Sequence, residues 1–581
     1  MADHTPGGSK DKEVGRASSG VSAKSTTDPI LRNALRYTIS AREYETLHRY
    51  ILSRSKVLKR ATPSVARVER LETQLRGGVG ASGSPTGTGE GGHVAVGVGG
   101  GGFGADYNAA AVRASVRLFV ASNAALKVWG LIAERVLGRV RDVRSKNPPF
   151  YRSPNFRLSL SLSTILLLHR LLFRFFTRLR LHLLTPEARP FRERNKRTSK
   201  TLTSSLAPAI GASLAGFALA INPAEQLRVT IAIYALCRAG EFGYRLAESE
   251  GWIWKKGVNG QGLERPWWWG SWLLFPLTSG QLLHAFVFDR DCFPKAYGDF
   301  IMKYSPTYAH SRPDDYPKNL PWPGQYQMVD SLAEMAKLRY PKFISPILFP
   351  NTSTLPPSLS AISPIASPAH PLITSLTCAT LHPTDPSCMR TYVSHYLTTI
   401  PPLARFFTLI FSLLSLPAYK RFYNSPLTSL NSLASRILRY SLFTSGSIGT
   451  SWAAICFFQQ YFPSKLLSTQ RFFLGGMLGG LWGFVVRREA KGEFMYALRA
   501  SIDSAWKVGK KRGWWSGVRG GDVWIFVTSL MVINAVFERD SGAVDSGVMR
   551  RCLTFLRGEG LIDRYGEEKK RIQEEEKRKM L

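Results

Sequence analysis

Few residues in this chain have the type and spacing for chemistry, and they sit in three places. The first is His382-Pro383-Thr384-Asp385-Pro386-Ser387-Cys388, which offers an imidazole and a thiol. One His and one Cys make at most two metal ligands, whereas zinc sites use three or four protein ligands. The residues therefore predict a turn, with Ser387 capping a helix that runs toward Val393. The second place is a pair of amphipathic segments bearing Arg238, Glu241 and Arg245 in one and Arg499, Asp503 and Lys507 in the other. Inside a bilayer such charges must face protein or water, so Arg238, Glu241, Arg499 and Asp503 form a candidate polar path. The alternative, in which these helices lie at the interface with their charges in water, stays open. The third place is Asp289 and Asp291 near His284, where Arg290 intervenes and the charges read as a span end.

Catalytic signatures are missing from the sequence: there is no GxSxG elbow, no P-loop and no HExxH. No catalytic residue, cofactor site or metal site is predicted. His169 and His284 stand singly in apolar runs and read as packing or interfacial residues. Six cysteines are scattered without a CxxC pair, and Cys237 and Cys456 read as small packing residues.

The elements that position these residues are apolar helices. The 581 residues carry 77 Lys+Arg against 41 Asp+Glu, a net charge of +36. This basic excess clusters beside uncharged segments, at 178–200, 436–439, 487–491 and 507–512, with no recognisable nucleic-acid module. That pattern predicts basic loops flanking membrane spans, with anionic lipid headgroups as partner and no nucleic acid. A mean hydropathy of -0.09 hides the spans because polar tails dilute them.

Candidate spans are Thr201–Ala224, Pro266–Phe288, Tyr440–Ser464, Phe472–Val486 and Val523–Phe537. Arg471 and Arg487 are placed to snorkel outward from the ends of the fourth. Leu158–Leu184, interrupted by Arg170, Arg174, Arg178 and Arg180, is either a tilted span or a helix in the headgroup layer. Thr391–Ala404 and Phe406–Tyr419 read as one span broken at Pro401-Pro402.

A row of small residues marks the closest packing. Gly475, Gly479 and Gly483 recur every fourth residue, as do Ala207, Gly211 and Ala215, so bare backbone lines one side of each helix. Two other features accompany both rows in the same order. Tyr234-Ala235-Leu236 precedes Gly251-Trp252 by the interval at which Tyr496-Ala497-Leu498 precedes Gly513-Trp514. Phe288-Asp289-Arg290-Asp291 closes an apolar segment as Phe537-Glu538-Arg539-Asp540 does. The order predicts two related multi-helix units. With four crossings each the copies are parallel, and with three they are inverted.

The predicted fold is all-α, a polytopic helical membrane protein with a disordered N-terminal region. Residues 1–27 form a polar tail without a secretory core, 28–76 an amphipathic helical segment opened by the capping box Ser40–Glu43, and 77–104 a glycine-rich linker. The first membrane unit takes 105–300, with Ala109–Val140 helical and amphipathic within it. A polar loop at 301–390, with a low-complexity, mobile stretch at Ser345–Pro371, offers a surface for protein partners. The second unit takes 391–556, and 557–581 is a charged tail whose lysine-rich end is no peroxisomal matrix signal.

The segment His382–Cys388 resembles the HPxxPSC-type motif of the transmembrane protein 135 family, its motif residues being His382, Pro383, Pro386, Ser387 and Cys388. The glycine-rich span, the Tyr496–Trp514 helix, Phe537-Glu538-Arg539 and Phe293-Pro294-Lys295-Ala296-Tyr297 are similar to that family too. The likeness covers roughly 201–556 with gaps. The family in turn resembles glycine-rich inner-membrane translocase proteins and peroxisomal membrane proteins. The resemblance implies a non-enzymatic role in mitochondrial and peroxisomal membrane dynamics, mitochondrial fission and lipid homeostasis. It places the protein in a mitochondrial or peroxisomal membrane, with the endoplasmic reticulum as the other candidate. The alternative function is a conduit for a lipid or small solute through the two units.

Overall fold

The computed structural model describes residues 106–136, 153–254, 265–350 and 355–580, with a few positions between 45 and 49. The polar tail, the capping box and the glycine-rich linker lie outside these. Among the described residues the fold is helical, with one isolated bridge, Lys342 to Ser375, and no strand. Among the described residues four helices are long and apolar enough to cross a membrane: Tyr107–Ala133, Pro154–Leu184, Cys388–Ser415 and Gly521–Arg539.

The chain divides into two compact units, Met1–Ser249 with Asp522–Leu581, and Glu250–Gly521. This differs from the consecutive units expected at 105–300 and 391–556, because the chain leaves the first unit at Ser249 and returns to it at Asp522.

The first unit begins with α1 (Asp106–Val136) and α2 (Pro154–Leu184). Ser153 caps α2 by accepting from the Phe156 amide, with Pro154 at the first helical position. Next comes the small-residue segment, α3 (Ala207–Ala212), which tightens into a 3-10 helix at Ser213–Ile221. The candidate span Thr201–Ala224 is bent near its start, a broken span or a re-entrant loop. The helix Lys196–Thr203 breaks off and α3 leaves it at 86°. Pro208 explains the break, since its ring favours a first-turn position and disfavours a helix interior. Then α4 (Glu225–Ser249) runs to Gly251, whose φ of +78° suits a residue without a Cβ.

The second unit opens with a 3-10 turn at Ser271–Leu273 and α5 (Leu274–Phe288), shorter than the expected Pro266–Phe288. After a 3-10 turn at Arg290–Cys292 come α6 (Lys295–Lys303) and α7 (Gln325–Lys337). The stretch expected to be mobile is packed instead. A 3-10 helix at Pro357–Ile362 and a turn at Ser363–Ala366 bury Leu359, Ile362, Ile365 and Ala366. Apolar residues every third position let a serine- and proline-rich segment join a core.

The short α8 (Leu376–Leu381) leads to α9 (Cys388–Ser415), one continuous helix that contains Pro401 and Pro402. The expected break there is absent. Polar residues fill the turn before the prolines, where Thr398 and Thr399 turn their hydroxyls inward along the helix. Then follow α10 (Pro426–Tyr461), α11 (Gln470–Gly480) with a 3-10 continuation at Leu481–Val486, and α12 (Lys491–Lys511). α12 stops before Gly513, at φ +71°.

Glycine decides how α11 packs, and it does so on two faces. A Cβ on Gly475 or Gly479 would meet α10 at the Ser451 and Ser447 carbonyls, 3.3 and 2.5 Å away. A Cβ on Gly476 or Gly480 would meet α5, 2.5 Å from the Ser279 carbonyl and 2.5 Å from Pro276 Cα. Gly483 packs against Phe275 and Phe494. The expected single row is therefore two rows, and α11 is clasped between α10 and α5. Arg471 does not snorkel, which corrects the expectation. It is fully buried, and it donates to the carbonyls of Leu466, Phe462 and Pro463 and to Gln459.

The chain then re-enters the first unit with α13 (Gly521–Arg539), a 3-10 turn at Ser541–Ala543, α14 (Gly547–Arg557) and α15 (Arg564–Met580). α13 packs on the 3-10 segment Ser213–Ile221 that follows α3, with Trp524 edge-on to Phe217. A Cβ on Gly216 would meet Val527 at 3.0 Å, and Gly211 faces Phe176 of α2 with no room for one. Ala215 is fully buried between them. Asp522 pairs with Arg228 at 2.6 Å, and Arg557 pairs with Glu538 at 2.7 Å.

Candidate functional site

The second unit contains an apolar cavity of about 250 Å³ between α5, α6, α10, α11 and α12. Gly479 and Gly480 line it where α11 meets α10 and α5. The deepest wall is Leu282, Ile448 and Trp452, all buried. At the rim stand the exposed Glu493 and Tyr496, where the Glu493 carboxylate accepts from the Tyr440 hydroxyl at 3.2 Å. Between rim and floor lie Ser279 and Ser447, whose hydroxyl oxygens are buried without a hydrogen-bond partner. Helical serines normally satisfy themselves on the preceding turn, as Ser451 does on the Ser447 carbonyl. Two unsatisfied hydroxyls in an apolar chamber are a standing free-energy cost that a polar atom of a guest would relieve.

The candidate polar path is not part of this chamber. Arg238 pairs with Glu241 at 2.7 Å within α4, with Arg245 at 3.9 Å from the same carboxylate, and Arg238 lies over the Tyr234 ring. Asp503 pairs with Lys507 at 2.6 Å within α12, and Arg499 lies on the same helix, half-buried. Arg238, Glu241 and Asp503 are thus each joined to a neighbouring turn of their own helix. At the end of α5, Lys511 pairs with both Asp289 and Asp291, and Arg512 pairs with Asp289.

His169, read from the sequence as a packing or interfacial residue, is fully buried in a polar knot. Its Nδ1 donates to the Leu556 carbonyl, and Asn534 contributes its amide to His169 Nε2 at 3.2 Å and to Ser213 at 2.8 Å. The knot ties α2, α3, α13 and α14 together. His169 and Asn534 are 365 residues apart, so no local pattern could reveal it.

The motif around His382 behaves partly as expected. Ser387 caps α9, accepting from the Arg390 amide at 3.3 Å. Pro383 and Pro386 hold a turn in which Asp385 accepts from the Ser387 amide and pairs with Arg390 at 2.7 Å. The two-ligand count, however, is corrected to four. Cys378 on α8 and Cys456 on α10 join His382 and Cys388, and the four donor atoms all lie within 4.8 Å of one another. Cys456 is therefore more than a packing residue. The available signal was Cys378 and His382 one helical turn apart, with Cys388 six residues on; Cys456 needed the fold.

Comparison with family models, with curated proteins and with solved structures finds no match.

Proposed function

We propose that this chain is a polytopic helical membrane protein of two related units, and that its second unit holds a single aliphatic chain of a lipid. The role is non-catalytic and belongs to lipid homeostasis and membrane dynamics, in the mitochondrial or peroxisomal membrane that the family resemblance implies. The cavity of the second unit carries the reading. An apolar cavity of about 150 Å³ takes benzene, so by proportion 250 Å³ takes a segment of about ten carbons. That is too small for a whole phospholipid and suited to one chain. The Glu493 carboxylate at the rim disfavours an anionic head, and Ser279 and Ser447 suit a hydroxyl or carbonyl oxygen.

The related-unit reading rests on parallel local structure. In both units a small-residue helix turns into a 3-10 helix, an amphipathic helix follows, and a left-handed glycine ends it. Each unit completes itself with a helix from the other half of the sequence, α5 in one and α13 in the other, and each of these ends in a 3-10 turn. The arrangement is that of a repeat with its fourth helix exchanged. The conduit alternative would run along Arg238, Glu241, Arg499 and Asp503, and it draws support from their partial burial.

A photoreactive aliphatic alcohol, with its diazirine near the chain end, tests the reading on the full-length protein in lipid nanodiscs. Labelling is expected on α5 and α10 near Leu282 and Trp452, competed by the unlabelled alcohol. Labelling spread evenly over the exposed leucines of α9 would contradict it.

A further inference from the structure

We propose that Cys378, His382, Cys388 and Cys456 bind one zinc ion in a closed Cys3His site that fastens α8 and the His382–Ser387 turn onto α9 and α10. The inference stands apart from the lipid cavity, which it neither needs nor supports.

The donor set and its geometry lead to the metal. A tetrahedral zinc with bonds of about 2.3 Å to sulfur and 2.0 Å to nitrogen separates its sulfurs by roughly 3.8 Å and sulfur from nitrogen by roughly 3.5 Å. Cys378 Sγ and Cys388 Sγ are 3.9 Å apart, and His382 Nε2 is 3.4 Å from Cys388 Sγ and 3.5 Å from Cys456 Sγ. The cysteines are free thiols, so no disulfide accounts for the clustering.

The imidazole is presented as a ligand would be. Its Nδ1–H donates to the Asp385 carbonyl at 2.7 Å, which leaves the Nε2 lone pair facing the three sulfurs. Such a backbone partner on the far nitrogen is the usual outer support of a zinc histidine. Asp385 is in turn fixed by Arg390, so the supporting turn is itself braced.

Three sulfurs and one imidazole in a tetrahedron select zinc over magnesium or calcium, which require oxygen. Four protein ligands leave no open position, so the site is structural rather than hydrolytic. His382 and Cys456 are buried, whereas Cys378 and Cys388 are half-buried and give the ion a way in. On binding, the thiols release their protons to solvent and remain as thiolates on the metal. The ion would close a ring between residues 378 and 456, holding the short α8 and the His382–Ser387 turn against two long helices.

The test is elemental analysis of the untagged full-length protein, purified without chelator. One zinc per chain is expected, lost in Cys456→Ser and in His382→Ala and kept in Cys237→Ser and Cys552→Ser. Where a variant fails to fold, wild-type protein decides. Cys378 and Cys388 should resist alkylation until a strong chelator is added, and cobalt substitution should give the intense visible bands of tetrahedral thiolate coordination. Sub-stoichiometric zinc together with rapid alkylation of both cysteines, or zinc retained in the folded Cys456→Ser variant, would overturn the proposal.

Discussion

Gly480 passes Pro276 so closely that a methyl group on Gly480 would stand 2.5 Å from Pro276 Cα. Backbone meets backbone there, and neither side has a flexible chain end that could move away. The contact holds α11 against α5 and so shapes one wall of the cavity.

Gly480→Ala should therefore destabilise the second unit by about 1–3 kcal/mol, the usual cost of overpacking. Gly492→Ala, on α12 with nothing within 4 Å, should be neutral or stabilising by up to ~1 kcal/mol through helix propensity. Thermal unfolding of the two variants in the same detergent compares them directly. Equal melting temperatures would remove the close-packing account.

Arg471 acts as a buried peg in the turn between α10 and α11. Its guanidinium faces the Tyr340 ring at 4.8 Å, and the Tyr340 hydroxyl reaches the Ser468 carbonyl at 2.7 Å. Arg471→Leu leaves several buried carbonyls without a donor, and the expected loss is about 2–4 kcal/mol. Proteolysis should then open the chain between Phe462 and Thr469, a cut that wild type resists.

The first unit carries an acid-sensitive clasp. Arg550 holds Asp563 through two hydrogen bonds of 2.7 and 2.9 Å, and the pair is nearly buried. The guanidinium, aided by the Gly566 amide and against the cost of burial, keeps the Asp563 carboxyl below its ordinary 3.8. A carboxyl with a depressed folded pKa contributes stability that is present above its unfolded pKa and lost as pH falls through the folded one. Hydrogen exchange in α14 should thus accelerate below about pH 4 in wild type, and Asp563→Asn should exchange fast already at neutral pH and lose that dependence. An unchanged pH profile in the variant would remove the clasp.

Asn534→Leu should disrupt the knot around His169, since it leaves Ser213 and His169 Nε2 without their donor. An expected loss of about 1–3 kcal/mol would appear as a lower melting temperature. Ser249→Ala, at an exposed hydroxyl, should melt as wild type does.

Local signals in the sequence were legible where the physics is local. The cap at Ser387 follows from one turn of helix and emerges as read, and the close packing of the small-residue segments does too, although α11 uses two glycine rows and not one. The break in Thr201–Ala224 was missed because a count of uncharged residues does not register the backbone cost of Pro208. The burial of Leu359 and Ile362 was missed because serine and proline dominate the composition of that stretch while three apolar residues decide its packing. The return of α13 to the first unit, and the arrival of Cys456 beside His382, are long-range facts. Nothing near Cys456 in the chain distinguishes it from an ordinary core thiol.

The most direct measurement is the mass of what leaves the membrane with the protein. Native mass spectrometry of wild type, released from nanodiscs, should show a retained adduct of one single-chain neutral lipid. Ser447→Phe, which places a ring in the cavity, should lose that adduct, and a melting transition shows whether the variant is folded. A folded Ser447→Phe that retains the same adduct at the same occupancy, or a wild type that carries none, would contradict a lipid-chain site in the second unit.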